Sequence, residues 1–308
     1  MTRKSLLDST RRRFITVGTG AAIGGSTLLG GFGSASAGGG SGNGSAETGS
    51  KEHTEAVDAG LEYFRERADD QLPLVEALLS AIESGDEAEA KDAYVESRYP
   101  YEEIEVLAGS FEETDADIDA RPFPGDIMYG ETSEEFVGFH RIERLLYRDD
   151  DLEPAVPYAE GLVESVEQLQ TDLDQRENFD PVSHFEGMIG LANEVPSKKI
   201  TSEEETFSEQ SLLIFKQNWE GIYSQFEPFA STVESHDEEV AAGVKDATKE
   251  ALSIIAPYFP DEQPGATPYR MVDNEVRGEI IHTSYELRDA LIDAAGVLEL
   301  GTSWNEEN

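Results

Sequence analysis

Helical periodicity without a strand pattern is the feature that most limits what this chain can fold into. From Lys51 onward apolar residues recur at the three- and four-residue spacing of amphipathic helices, and sustained apolar–polar alternation is missing. The pattern predicts eight helices, near residues 52–83, 86–113, 133–148, 154–178, 181–194, 204–235, 237–257 and 270–297. Pro73 and Pro100 are expected to kink or divide the first two. We therefore predict an all-α fold of two four-helix bundles, packed together or sharing a long helix.

The charge balance narrows the classes of function. The chain has 65 acidic and 23 basic residues and a net charge of −42, so a nucleic-acid partner is excluded for lack of phosphate-neutralising residues. Acidic residues placed between periodic apolar ones indicate a folded core under an acidic surface, typical of a halophilic source. The chain has no cysteine, which excludes disulfides, thiolate metal sites and cysteine nucleophiles.

The N-terminus has the pattern of an export signal. "TRRRFI" resembles the twin-arginine signal, a Gly-rich weakly apolar stretch follows, and Ala35, Ser36 and Ala37 form a small-residue cleavage pattern. We predict a twin-arginine signal over residues 1–37, cleaved or retained as an anchor, and a Gly/Ser linker over 38–50. The helical domain is expected over 51–300, with an acidic tail at 301–308.

Candidate metal ligands cluster around one helix. In "EEFVGFHRIERLLY", residues 134–147, His140 and Glu143 lie three residues apart and project from the same side. Glu102 and Glu105 form a similar pair on the second predicted helix. The segment 114–132 between them is predicted to be non-helical, and loops of that length are usually functional or disordered. Paired carboxylates and an imidazole facing across a bundle suit iron, manganese or zinc, although acids in so acidic a chain also occur on solvated faces by chance.

A family resemblance supports the metal site. "GFHRIERLLY" resembles the G-x-H-x-x-E signature of the imelysin-like family, once classed among metallopeptidases. "SRYPYEEIEVLAGSFEETDADIDAR" is similar to the Y-x-x-I-E helix and I-D-x-R loop of its EfeO/EfeM branch. "GLANEVPSKKITSEEETFSEQ" resembles that branch's A-N-E and K-I-T-x-E-E elements. The resemblance covers roughly residues 52–300.

The resemblance implies an exported, all-helical component of an iron-uptake system. Such proteins act beside a membrane permease and a haem peroxidase-like partner, and the bound ion is expected to be iron, with zinc, copper or manganese as alternatives. The ligands implied by position are His140, Glu143, Glu105, Asp119 and Glu102.

The chain departs from the family pattern at two places. Many relatives carry S-H-x-D-L where this chain has Ser208, Glu209, Gln210, Ser211 and Leu212. Some relatives also carry an N-terminal cupredoxin domain, for which residues 38–50 are too short. The chain therefore resembles the short form of the branch.

Two other functions compete with metal transport. A zinc peptidase normally needs H-E-x-x-H on one helix, whereas "FHRIERLL" supplies one histidine. A metal-free surface or polysaccharide-binding protein would need an exposed aromatic platform, which the sequence does not reveal. His282, with Glu279 and Glu286 on one helix face, is a candidate for a secondary metal site.

Overall fold

Nine α-helices make up most of the described chain. The computed structural model describes residues 43–122, 130–201, 204–260 and 264–305. The predicted export signal lies outside these residues, as do residues 38–42 of the predicted linker and 306–308 of the predicted tail. The helices are α1 (Asn43–Ser84), α2 (Glu87–Ile104), α3 (Glu112–Asp119), α4 (Gly138–Tyr147), α5 (Val156–Leu173), α6 (Pro181–Ser197), α7 (Ser211–His236), α8 (Glu238–Ile255) and α9 (Asn274–Val297).

The described part of the chain forms two groups of helices that share α7. α1 packs along α2, α5 and α7, whereas α9 lies against α6 and α8, and α8 returns along α7. The two bundles therefore share one long helix rather than meeting as separate units. The all-α prediction is confirmed, since no strand occurs among the described residues.

The helix boundaries differ from the sequence-based ones near the candidate site. The second predicted helix, 86–113, ends as an α-helix at Ile104 and continues as a 3₁₀ turn, Glu105–Ser110, in which Leu107 has a non-helical backbone. The short helix α3 then occupies residues predicted to be non-helical, so that expectation is wrong for 114–119. Three acidic residues lie in the first turn of α3, where the positive end of the helix dipole favours negative charge and stabilises the helix. The helix is too short to be recognised from its periodicity. α1 begins at Asn43, within the predicted linker.

The apolar stripe of α7 fills the core that both bundles share. Phe215, Trp219 and Phe226 are at most 1% exposed, and their spacing of four and seven residues places them on one face of the helix. Among the described residues no helix combines the length and apolarity needed to cross a bilayer.

Candidate metal centre

A buried arginine joins three of the elements that form the site. Arg98 on α2 is fully buried, and its guanidinium forms ion pairs with Glu102 on its own helix, with Asp119 at the end of α3 (2.6 Å) and with Glu205 (3.0 Å). The same guanidinium lies over the ring of Phe139, 4.6 Å from its centroid. Because a buried charge is stable only when it is paired, Arg98 fixes α2, α3 and α4 relative to one another.

The glycine of the G-x-H-x-x-E motif allows α4 to approach α3 closely. Gly138 opens α4 with φ of +67°, a conformation that side chains rarely adopt. A Cβ at this position would lie 2.1 Å from the carbonyl oxygen of Ile118. The glycine therefore brings the first turn of α4, with His140, next to Asp119.

His140 presents one nitrogen to the carboxylates and the other to its motif partner. Nδ1 lies 3.3 Å from Oε2 of Glu143. Nε2 lies 3.4 Å from Oδ1 of Asp119, is buried, and has no hydrogen-bond partner among the described residues. A buried polar atom that makes no hydrogen bond is costly, and an imidazole nitrogen in this state is suited to a metal ion.

Glu143 ties α4 to the segment that precedes α7. Its Oε1 accepts hydrogen bonds from the backbone N–H groups of Phe207 (2.7 Å) and Ser208 (2.8 Å). The hydroxyl of Ser208 donates in turn to Glu205. One oxygen of Glu143 thus holds the loop, while the other faces His140.

The segment after α6 supplies further charged side chains. Nζ of Lys199 is 2.8 and 2.7 Å from the two carboxylate oxygens of Glu105 and 3.1 Å from Oε1 of Glu204. Arg121 donates to the other oxygen of Glu204 at 2.5 Å. Both Lys199 and Glu204 are fully buried, so the segment reaches into the interior.

The surroundings separate the carboxylates into ionised and protonated ones. Burial alone would raise the pKa of Asp119, but Arg98 and His140 hold it well below its usual value. Burial is likewise outweighed at Glu204, where Arg121 and Lys199 lower the pKa to about 2. At Glu102 burial dominates and raises the pKa well above its usual value, although Arg98 opposes the effect. Asp119 and Glu204 are therefore anionic at neutral pH.

His140 is protonated at neutral pH when no metal is bound. Burial lowers its pKa, but the negative charge of the neighbouring Asp119 and the contact of Nδ1 with Glu143 outweigh burial and raise the pKa to about 10. A metal ion that binds Nε2 must therefore displace a proton.

The charges of the cluster balance only through the protons on His140 and on carboxylates such as Glu102. Six buried carboxylates face three permanently cationic side chains. The carboxylates are Glu102, Glu105, Asp119, Glu143, Glu204 and Glu205, and the cations are Arg98, Arg121 and Lys199. With all carboxylates ionised and His140 neutral, three negative charges are in excess, which a di- or trivalent cation would offset.

Among the described residues, two sets have ligand atoms within 4.8 Å of one another. We call Asp119, His140 and Glu204 the histidine group, and Glu102, Glu105 and Glu204 the acidic group. Both sets are buried, and they share Glu204. The five ligands predicted from sequence are thus drawn into one cluster, with Glu143 placed beside His140 rather than in either group.

The sequence did not predict Glu204, the candidate ligand that both groups share. Glu204 lies in the "KKITSEEE" segment, whose pattern indicates the family resemblance but does not single out a ligand. The buried cation Arg98 was also missed, because it lies on α2 one turn before the glutamate pair. The sequence signal that could have indicated this cluster was the occurrence of basic residues within otherwise acidic, partly apolar segments.

The second candidate histidine does not join a comparable cluster. His282 is 74% exposed and pairs with Glu286 at 3.2 Å. Neither group of three ligands found in the described part of the chain includes it. Its surroundings are those of a solvated helix face.

Comparison with known proteins places the chain in a family. The family model of imelysin, peptidase M75, matches residues 59–293. An "Efem/EfeO family lipoprotein" of Staphylococcus aureus (strain MRSA252) is 32% identical over 196 residues, 63% of this chain and 67% of the relative. A protein of the same name from Staphylococcus haemolyticus (strain JCSC1435) is 28% identical over 261 residues, 84% of this chain and 87% of the relative. The chain therefore belongs to the imelysin family and, within it, to the EfeM/EfeO proteins.

Proposed function

We propose that the protein is an exported, metal-binding component of an iron-uptake system, which holds an iron ion as cargo in the histidine group. The observation that carries the proposal is the buried Nε2 of His140, which lacks a hydrogen-bond partner among the described residues and lies beside two ionised carboxylates. Membership of the EfeM/EfeO proteins supports the assignment to iron uptake.

The ligands in this proposal are Nε2 of His140 and carboxylate oxygens of Asp119 and Glu204. Glu143 acts on the opposite side of the imidazole, since its Oε2 is placed to accept the Nδ1–H proton and so to keep Nε2 free for the ion. Glu105 and Glu102 lie next to this set, in the acidic group. All three ligands must be deprotonated for binding.

The donor set determines the class of metal. Two carboxylates and one imidazole suit ferrous or ferric iron and also accept manganese, zinc and copper. Affinity alone would favour copper, so iron loading would depend on which metal is available.

The location and partners follow from the N-terminal pattern and the family resemblance. The arginine pair and the Ala-Ser-Ala pattern support export by the twin-arginine route to the cell surface or an equivalent compartment. The relatives are named lipoproteins, but this chain has no cysteine to carry a lipid. A membrane iron permease and a haem peroxidase-like protein are the partners that the resemblance implies.

A peptidase is the competing function, because the family model bears that name. The five histidines lie at positions 53, 140, 184, 236 and 282, so no H-E-x-x-H pair exists in this chain. Incubation of the zinc-loaded protein with unfolded casein in high salt should release no peptides. Peptide release that His140→Ala abolishes would support the peptidase instead.

Calorimetric titration tests the metal site directly. Fe(II) under anaerobic conditions and Zn(II) should each bind the wild type at one ion per chain, and His140→Ala should lose this binding. His282→Ala is the matched control, since it removes an exposed imidazole that also lies near a glutamate on its helix. Glu143→Gln should weaken binding about 10- to 100-fold without changing the stoichiometry, as expected for a residue that orients a ligand.

Unchanged affinity in His140→Ala would contradict the proposal. The imidazole would then be a buried structural cation, paired with Asp119 and Glu143 and without a role in metal binding.

A further inference from the structure

The acidic group has the geometry of a second metal position. Glu102, Glu105 and Glu204 each offer an oxygen within 4.8 Å of the other two, and all three are buried. The amide of the fully buried Asn218 donates to Oε2 of Glu105 (2.9 Å) and Oε2 of Glu102 (3.3 Å). Its carbonyl oxygen, at the same amide, has no hydrogen-bond partner among the described residues. Three carboxylates are therefore gathered in one place, and the Asn218 amide donates to two of them.

A side-chain cation already lies among these oxygens. Lys199 follows α6 in a 3₁₀ turn, Lys199–Thr201, and its ammonium contacts both oxygens of Glu105 and one of Glu204. Its side chain is 0% exposed, whereas that of the preceding Lys198 is 59% exposed and pairs with Glu194 on the surface. Adjacent lysines thus point in opposite directions, and only Lys199 is directed into the cluster.

An ammonium and a metal ion compete for the same carboxylates. Lys199 contributes one positive charge and three N–H donors, which satisfy oxygens that a metal would otherwise coordinate. A divalent ion in contact with Glu105 and Glu204 would also meet the ammonium at short range, and the two cations would repel each other. Carboxylates shared between two sets of ligands are the usual way in which helical proteins hold a pair of metal ions.

We propose that Lys199 is a built-in cation that fills the acidic group and limits the protein to one metal ion, so that its removal opens a second metal position. The inference rests on the proposed function for the first ion, in the histidine group. It assigns Lys199 the role of setting metal stoichiometry, and the ligands of the second position are Glu102, Glu105 and Glu204.

The test is metal stoichiometry with Zn(II) as the probe. The full chain, its Lys199→Met variant and the matched surface control Lys198→Met are titrated calorimetrically, and zinc per chain is measured after gel filtration. Lys199→Met should bind two zinc ions, and the wild type and Lys198→Met one. His140→Ala should bind none, while the double variant Lys199→Met/His140→Ala should bind one, because only the acidic group remains.

The outcomes separate this inference from the proposed function. One zinc ion in a folded Lys199→Met variant would overturn the role of Lys199 and leave the first site intact. A wild type that binds no zinc would overturn the proposed function, whereas a gain of one ion in Lys199→Met would still support the role of Lys199.

A second variant covers the case in which Lys199→Met does not fold without metal. Lys199→Gln keeps an N–H donor for Glu105 and is scored in the same way. If neither variant folds alone, zinc at two ions per chain should restore the far-UV circular dichroism of the wild type. Failure to restore it would overturn the inference.

Discussion

Replacement of Gly138 by alanine should damage both the fold and the metal centre. The added Cβ would meet the carbonyl oxygen of Ile118 at 2.1 Å and the carbonyl oxygen of Asp117 at 2.7 Å. Both oxygens belong to the backbone of α3, so the contact cannot be relieved by a change of rotamer. The start of α4 must move away from α3 by about 1 Å to reach an ordinary carbon–oxygen separation.

The cost has two parts. A non-glycine residue at φ of +67° costs ~1–2 kcal/mol. Overpacking against a rigid neighbour costs a further ~1–3 kcal/mol. Alanine also restricts the unfolded chain, which returns ~0.4–1 kcal/mol. The free energy of unfolding should therefore fall by roughly 1–4.5 kcal/mol.

Gly85→Ala is a matched control. Gly85 also has positive φ, +78°, but nothing lies within 4 Å of the Cβ it would gain. Gly85→Ala introduces the same backbone strain but no steric clash, so the variant should lose roughly 0–1.5 kcal/mol of unfolding free energy. The difference between the two variants measures the close approach of α4 to α3.

The assay combines urea denaturation with zinc titration. Unfolding followed by far-UV circular dichroism gives the stability of each variant, and unchanged m-values would show that the unfolded states are comparable. A 1 Å displacement of His140 from Asp119 exceeds the ~0.5 Å tolerance of a well-formed site. Zinc affinity in Gly138→Ala should fall about 10- to 100-fold, as for loss of a group that orients a ligand. Equal stability of the two variants, together with wild-type zinc affinity in Gly138→Ala, would refute the reasoning.

Three further predictions concern protonation and helix capping. Zinc affinity should rise by about tenfold per pH unit between pH 6 and 9. The reason is that a metal at His140 displaces one proton from a group whose pKa is about 10. Calorimetric titration at several pH values checks this. Burial lowers the pKa of His184 to about 4. The stability that the neutral His184 contributes is therefore present above the unfolded pKa of 6.5 and is lost as pH falls below it, by up to roughly 3 kcal/mol. His184→Gln should flatten the acid limb of the curve of unfolding free energy against pH. The carboxylate of Asp180 accepts hydrogen bonds from two N–H groups at the start of α6, so Asp180→Ala should cost about 1 kcal/mol in urea denaturation and Asp180→Asn much less.

The fold could be predicted from sequence because its helices are long and periodic. α7 illustrates this, since its aromatic stripe identifies a buried face without knowledge of the partner helices. α3 could not be found in the same way, because eight residues give barely two turns of periodicity. Its existence depends on the acidic first turn and on burial of Thr114 and Ile118 against neighbouring elements.

The candidate site could be predicted only in part, for a physical reason. His140 and Glu143 lie on one helix, so their spacing alone places them together. Glu204 and Lys199 enter from a turn after α6, and their proximity to Glu105 depends on tertiary packing across 94 to 99 residues of chain. Local patterns carry no information about such contacts. In an acidic chain they also cannot distinguish Glu204 from the solvated acids around it.

The residues that contact one another in the cluster are far apart in sequence, so folding has to precede tight metal binding. Tyr94 donates to Glu205 across 111 residues, and Lys199 reaches Glu105 across 94. An unfolded chain therefore has scattered acids but no assembled site, and tight metal capture has to follow folding. Capture then adds to stability, by about 4 kcal/mol when free metal is a thousandfold above the dissociation constant. A chain that crosses the membrane already folded, as the N-terminal arginines predict, would meet its first metal in the cytoplasm. The metal it carries outward would then be decided by the cell's internal supply, and exchange for iron outside would require the ion to leave a closed, highly charged interior.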